Sequence, residues 1–282
     1  MIEPITQRSP VMKDKLTIVK VSGKIVENPD ALKTFIKRFT AISGKKLLIH
    51  SGADFASKFG NKMGVNTRMI GGRPVVDDNT LQLLTMVYAG LVNKQLVSLL
   101  QWHKVNALGI TGADMNVMQS VKHVPNNMGW TGDVKQVNAQ ALSAILDSGV
   151  VPVLAPLTHD GKGNLLFNET DAMAAEAAKA LALRYDVQLI YCFEKNGVLL
   201  NPADPDSVVA VLKRTQYKNL REMEIIKDWF INKLDNAFSA IDHGVKEVII
   251  TNAANLGNSE LGTHIRPIVR TATEQTTPKR TK

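Results

Sequence analysis

Two stretches of this chain end an apolar run on a glycine turn with a basic side chain beside it: Ile18-Val19-Lys20-Val21-Ser22-Gly23-Lys24 and Leu47-Leu48-Ile49-His50-Ser51-Gly52-Ala53. Each reads as a strand that delivers a bare backbone turn to one edge of a sheet. Such an edge gathers unpaired N–H groups and a cation, which is how an α/β protein binds phosphate. Phosphoryl transfer is the chemistry to expect. A glycine after a strand is also a plain turn, and strand-terminal lysines are common on surfaces. Two such turns, with partners downstream, say more than either alone.

Other chemistries lack their residues. There is no GxxxxGK[ST] loop, and Gly161-Lys162-Gly163 lacks the third glycine of a dinucleotide fingerprint. The histidines His50, His103, His123, His159, His243 and His264 show no metal-ligand spacing, and no Gly-x-Ser-x-Gly elbow occurs. Cys192, in Leu189-Ile190-Tyr191-Cys192-Phe193, reads as part of a buried strand. Cations and turns remain, without an activated nucleophile. A carboxylate acceptor is already ionised at neutral pH, so an enzyme that phosphorylates it needs positioning and charge neutralisation but no general base.

The elements that must position these residues alternate strand and helix, which predicts an α/β fold with a mainly parallel central sheet sandwiched by helices. Strands are expected at 16–21, 46–50, 107–110, 150–155, 188–193 and 247–251, with helices at 29–42, 54–63, 77–104, 139–147, 170–184 and 219–243. Segments 119–124 and 134–137 flank a hairpin tip at Met128-Gly129-Trp130-Thr131-Gly132-Asp133. The apolar stripe of 77–104 suits a core or dimer face, and the alanine-rich helix 170–184 suits close packing across the sheet. A lobe boundary near Tyr185 divides the chain into 12–184 and 185–268, with 269–282 as an expected disordered tail.

Composition agrees with a folded chain: 282 residues, 44% apolar and 21% charged. No apolar run approaches the roughly 18 residues of a membrane span, and 1–15 has no signal-peptide core, so the expected location is cytoplasmic, without a membrane partner. Of the net charge of +8, half comes from Arg266, Arg270, Lys279, Arg280 and Lys282 against Glu274 alone. A solvated tail accounts for that better than a nucleic-acid site, and a modestly basic body suits a ligand with several negative charges.

In their order and spacing, these pieces resemble the amino acid kinase family over about residues 16–265. The resemblance is closest to the members that phosphorylate an N-acyl-L-glutamate in arginine biosynthesis. It rests on the two turns, Gly72-Arg73, Ala89-Gly90-Leu91-Val92-Asn93-Lys94, Gly129 to Val134, Asp171, Asn196-Gly197-Val198-Leu199, Lys233, and Gly262-Thr263-His264-Ile265. The resemblance implies two lobes, the first holding the acyl-amino acid and the dimer contact, the second holding ATP. It implies that Lys20 and Lys233 neutralise the moving phosphoryl group and that Asp171 organises the two lysines. By the same resemblance, Arg73 clamps the substrate α-carboxylate with a planar fork, and Ser51, Gly52, Ala53 and Asn168 line the acceptor side. Gly23, Lys24, Glu194, Asn196 and Gly197 fall to the phosphates and nucleotide. ATP and Mg²⁺ are the implied cofactors, the ion being held mostly by phosphates and water.

Three departures stand out. The family's three glycines read Ser51-Gly52-Ala53, its asparagine four residues before the aspartate falls on Phe167, and its Thr-Asp of the nucleotide lobe reads Phe193-Glu194. Asn168 replaces that asparagine only if the strand register shifts. These changes bear on the acceptor more than on the reaction: N-acetyl-L-glutamate is the family default. N-succinyl-L-glutamate is the alternative, with Arg68 either an added cation or a solvated loop charge. A short N-terminal extension predicts a homodimer without arginine feedback. Two rival readings are a catalytically silent sensor on the same fold and a nucleic-acid module using the tail.

Overall fold

In the computed structural model, which describes residues 13–70, 73–124, 126–226 and 228–268, the apolar runs assemble into one seven-stranded sheet. Its order is Thr263–Ile265, Glu247–Asn252, Asp186–Phe193, Lys15–Val21, Lys45–His50, Val151–Leu154, Ala107–Ile110. All neighbours are parallel except the edge strand Thr263–Ile265, which runs antiparallel to Glu247–Asn252. Successive side chains leave a strand on opposite faces. Ile18, Leu47, Ile49 and Leu189 therefore enter one core with the helices Thr170–Ala182 and Asp228–Asp242. Val19, Val21, Leu48 and Ile190 enter the other with Pro29–Ala41 and the helix that begins at Asp78. The helix Thr170–Ala182 lies across Lys15–Val21, Lys45–His50 and Asp186–Phe193, and Ala174, Ala175, Ala177 and Ala178 are fully buried there. The expected boundary at 184/185 falls between this helix and the strand Asp186–Phe193, which pairs directly with Lys15–Val21.

Four differences from the sequence reading matter. Gly23 does not sit in a bare turn but opens a five-residue helix, Gly23–Glu27, straight from the strand. The segment expected as one helix over 219–243 is two, Arg214–Glu222 and Asp228–Asp242, because Glu224 takes a left-handed φ of 54°. With no glycine or proline at the break, the chain carries no sequence signal for it. The hairpin strands Met118–Lys122 and Thr131–Val137 do pair, but they also close a four-stranded ring with Leu157–His159 and Leu165–Asn168, two strands too short to show a period. Finally, Asp78–Trp102 is long and apolar enough to cross a membrane, with a mean hydropathy of 1.4, contrary to the expectation that no run approaches that length. It lies on the sheet through Leu83, Leu84, Val87, Tyr88, Val92, Leu96 and Leu100, and its middle, Thr85–Val92, is wound as a π-helix. The expected tail, 269–282, lies outside the described residues, as does Gly72.

Candidate active site

The two turns leave adjacent strands at their carboxyl ends, the edge where open parallel sheets place their ligands. Lys20 belongs to the strand Lys15–Val21, and its ammonium reaches Asp171 Oδ1 at 2.9 Å. Asp171 sits in the first turn of Thr170–Ala182, and its Oδ2 accepts a 2.5 Å hydrogen bond from Lys233 on Asp228–Asp242. One carboxylate thus joins two lysines, the three groups coming from three elements and leaving a net positive charge. The Tyr191 hydroxyl donates to the Asp171 carbonyl at 3.0 Å, and its ring lies 4.9 Å from the Lys233 ammonium.

Burial and charge compete differently at the two ends of this pair. Burial alone would push the Asp171 carboxyl up, but the ammonium groups of Lys20 and then Lys233 overcome it and hold the carboxyl well below the usual range. At Lys233, burial wins. It lowers the ammonium to about 8, the Asp171 carboxylate opposing and the Lys20 charge adding to the fall. Lys233 is therefore a cation poised to lose its proton just above neutral pH.

The glycine turns face each other. A Cβ on Gly23 would stand 3.1 Å from Ala53 N and 3.4 Å from Gly52 N, so a side chain there would press the two backbones apart by a few tenths of an ångström. The helix Ala53–Met63 starts at Gly52, and the Glu27 carboxylate accepts the Asp54 N–H at 3.0 Å. Burial, ahead of its contacts, raises the Glu27 carboxyl above its ordinary value. Among the described residues no carbonyl or side chain takes the N–H groups of Gly52 and Ala53, which are left for a ligand. Gly52 itself is extended, with φ 176°; what demands glycine there is space, because a Cβ would come within 3.0 Å of Val92 Cγ2 and 3.2 Å of Tyr88 Cε1. Gly52→Ala is expected to cost about 1–3 kcal/mol by overpacking, measured by urea unfolding. An unchanged midpoint would show that the π-helical segment gives way freely.

Arg73, expected to take the acceptor, donates from Nη2 to Glu169 Oε2 at 3.2 Å, and both side chains remain partly exposed. Arg73, Asn168, Glu169 and Asn232 line one open cleft of about 260 Å³. Phe167 pairs with Thr131 and stacks on Tyr88 at 5.8 Å, while Asn168 pairs with Gly132 and turns into the ring. There the Asn168 amide donates to Ser120 Oγ and to the Gly132 carbonyl, and its oxygen accepts from Thr158 Oγ1. Asn168 is thus held entirely by protein. Ser51 is tied to the first strand through its own N–H and the Val21 carbonyl, and Arg68 is exposed.

Among the residues expected at the nucleotide, Glu194 accepts from Ser22 Oγ at 3.2 Å, which joins the end of Asp186–Phe193 to the start of Gly23–Glu27. Lys24 lies exposed in that short helix. Asn196 is engaged by Asn252 Nδ2 and the Pro205 carbonyl. Gly197 packs against Thr263, whose hydroxyl would lie 2.6 Å from a Cβ there and which accepts the Val198 N–H at 2.8 Å. Phe193, Gly197, Val198, Leu199, Ile226 and Phe230 form an apolar pocket beside them. Sequence reasoning assigned no role to Glu169, Tyr191 or Thr263. Thr263 lies in a fragment already noted for its order, Gly262-Thr263-His264-Ile265, whereas Glu169 and Tyr191 carry no signal apart from their neighbours.

A parallel sheet whose edge gathers two lysines, a bridging aspartate, the Gly52 turn and the facing helix start at Gly23 defines a protein that handles phosphoryl groups. Residues 15–252 match the amino acid kinase family, and the chain belongs to that family. It is 49% identical over 257 residues to the acetylglutamate kinase of Phocaeicola vulgatus, covering 90% of this chain and 100% of that protein. It is 47% identical, with the same coverage, to the acetylglutamate kinase of Bacteroides thetaiotaomicron. The fold is shared with smu.665 from Streptococcus mutans at TM-score 0.75 and 24% identity, covering 89% of this chain and 98% of that one. It is shared too with carbamate kinase from Giardia lamblia bound to AMP-PNP, at TM-score 0.66 and 12% identity, covering 91% and 99%. At these identities the two structures speak for the fold alone.

Proposed function

We propose that this protein transfers the γ-phosphoryl group of ATP to the γ-carboxylate of N-acetyl-L-glutamate, in arginine biosynthesis. The observation that carries the reading is the Lys20–Asp171–Lys233 bridge set beside the facing turns at Gly23 and Gly52. Curated relatives named acetylglutamate kinase support the acetyl acceptor, and no finding favours the succinyl alternative or a silent sensor.

In this reading a carboxylate oxygen of the acceptor attacks the γ-phosphorus, the bond to the β-phosphate oxygen breaks, and ADP leaves with the electron pair. No proton moves in the transfer, so no side chain has to act as a base. Lys20 and Lys233 meet the charge on the transferring group, and Asp171 keeps their ammonium groups together until the phosphates arrive. The N–H groups of Gly52 and Ala53, at the start of a helix, bind the phosphoryl oxygens or the acceptor carboxylate, with Gly23 opposite and Ser51 shaping the turn. Arg73 takes the α-carboxylate of the acceptor, exchanging Glu169 for it, and Asn168 acts by bracing the ring beside that cleft. The adenine base suits the apolar pocket at Phe193, Val198 and Phe230, with Glu194, Asn196, Gly197 and Lys24 around it. Mg²⁺, when bound, would supply positive charge to offset that of the phosphates. Among the described residues no group of three or more acidic, histidine or cysteine side chains could hold a metal, and in this reading phosphates and water make up most of the ion's shell.

The finer parts of the reading are proposals too: an acceptor lobe at 12–184 and a nucleotide lobe at 185–268, a cytoplasmic location, and a homodimer without arginine feedback. The dimer is supported by the unpaired edge strand Ala107–Ile110 with Leu108 exposed, and by exposed Met86 and Leu91 on the long helix. Light scattering that gives the monomer mass at micromolar concentration would remove it.

Acyl phosphate trapped as the hydroxamate, from ATP and N-acetyl-L-glutamate, tests the activity. No hydroxamate under conditions where ATP demonstrably binds overturns it. One consequence concerns pH. Below about 8 Lys233 carries its proton and attracts phosphate, and above that it is neutral. We therefore expect kcat/KM for ATP, which reports the free enzyme, to fall as pH rises through about 8. In Lys233→Arg, whose charge persists, any remaining activity should lose this fall.

A further inference from the structure

Two fragments that the phosphoryl-transfer reading leaves without a role, His50 and Asn93-Lys94, meet directly behind the Gly52 turn. His50 and Asn93 are both buried, at 0% and 1% exposure. The Asn93 amide nitrogen lies 2.9 Å from the Val153 carbonyl and 3.2 Å from His50 Nε2, and its oxygen lies 3.1 Å from Lys94 Nζ. Lys94 also donates to the Gly109 carbonyl at 3.0 Å, and Gly109 must lack a side chain, since a Cβ would fall 1.9 Å from the Asn93 oxygen.

This chain of contacts fixes the histidine tautomer. A carbonyl can only accept and an ammonium can only donate, so the Asn93 nitrogen faces Val153 and His50, and His50 Nε2 must accept. The proton then resides on Nδ1, which lies 3.3 Å from the carbonyl oxygen of Ser51 and donates to it. The arrangement needs a neutral ring, and burial holds the His50 imidazole down to about 4.

The Ser51 carbonyl matters because it shares a peptide unit with the Gly52 N–H. That unit is planar and trans, so its C=O and N–H point in opposite directions. Tying the Ser51 oxygen to the His50 ring points the Gly52 N–H away from that ring, and Gly52 N lies 3.4 Å from the vacant Cβ position of Gly23 at the start of the helix Gly23–Glu27.

We propose that His50, locked by Asn93 and Lys94, is a positioning residue that aims the Gly52 N–H into the phosphoryl site. The π-helical segment supports the same turn from the other side, through Tyr88 and Val92, and Asn93 directly follows that segment. The proposal rests on the phosphoryl-transfer reading, and its test separates the two.

His50→Asn keeps a donor near the Nδ1 position and can still hold the Ser51 carbonyl. His50→Gln keeps a polar group near Nε2 and lets that carbonyl go. If the Ser51 bond aims the turn, His50→Gln loses about tenfold to a hundredfold in kcat with both KM values within about threefold, the scale expected of a displaced reacting group. His50→Asn then stays within about threefold of wild type at a temperature well below either melting point. Equal losses in the two variants, or losses that merely track their melting temperatures, overturn the proposal. Histidine ¹⁵N NMR of the unsubstituted protein gives a second measurement that no folding defect can spoil. The Nδ1–H tautomer is expected for His50 from pH 6 to 9, and an Nε2–H tautomer or a charged ring refutes the positioning role. Absence of kinase activity in the wild type would sink the reading of function and leave the tautomer result standing.

Discussion

Lys233→Ala is expected to lower kcat by about 10²–10³-fold, the usual consequence of removing one preorganised donor from a developing negative charge. KM for N-acetyl-L-glutamate should change little, because the lysine sits at the Asp171 bridge and not at Arg73. The size of the effect stems from burial: Lys233 is 4% exposed, so its charge acts across a medium that screens poorly. Alanine leaves Asp171 paired with Lys20 alone, an adequate ion pair, so the fold should survive. Hydroxamate assays with matched circular dichroism check both halves. A folded variant that retains wild-type kcat would remove Lys233 from the reaction.

Asp171→Asn acts on charge and stability together. It leaves the Lys20 and Lys233 ammonium groups facing each other without the carboxylate that reaches them at 2.9 and 2.5 Å. Unpairing a buried charge costs about 3–5 kcal/mol; because Asp171 keeps 21% of its side chain exposed, about 2–3 kcal/mol is a fairer expectation. For a chain of this size that corresponds to a fall of roughly 5–10 °C in melting temperature. Lys233, already lowered to about 8, would relieve part of the cost by losing its proton, and kcat should then fall about as far as in Lys233→Ala. Triphosphate replaces the missing carboxylate, so ATP should raise the melting temperature of the variant more than that of the wild type. An equal shift in both would mean that the two lysines do not meet the phosphates.

The two outcomes divide along the lines of what the chain discloses. Lys20 was legible because it ends an apolar run just before a glycine, and the strand period and the turn signal are both local. Lys233 and Asp171 look locally like a surface helix lysine and an acid in a first helical turn; only a resemblance extending along the chain singled them out. Their meeting is produced by packing, as Thr170–Ala182 crosses the sheet on small side chains and Asp228–Asp242 packs against it. Phe167 and Asn168 were the ambiguous pair. Alternation along a four-residue strand puts one toward Tyr88 and the other into the ring, and which is which depends on pairing with Thr131 and Leu157, partners remote in sequence.

By itself, the sequence determined the alternation of strand and helix and the glycine turn at Gly52, and hence a sheet edge suited to phosphate, because periodicity and turn chemistry act over a few residues. That one aspartate joins two lysines was expected only from the family resemblance, and the tertiary structure alone decided the contacts that make it, that Glu169 occupies Arg73, that Asn168 is spent inside the ring, and that His50 reaches Asn93. Each of those contacts joins residues that no local rule relates, and each is fixed by strand register and helix packing.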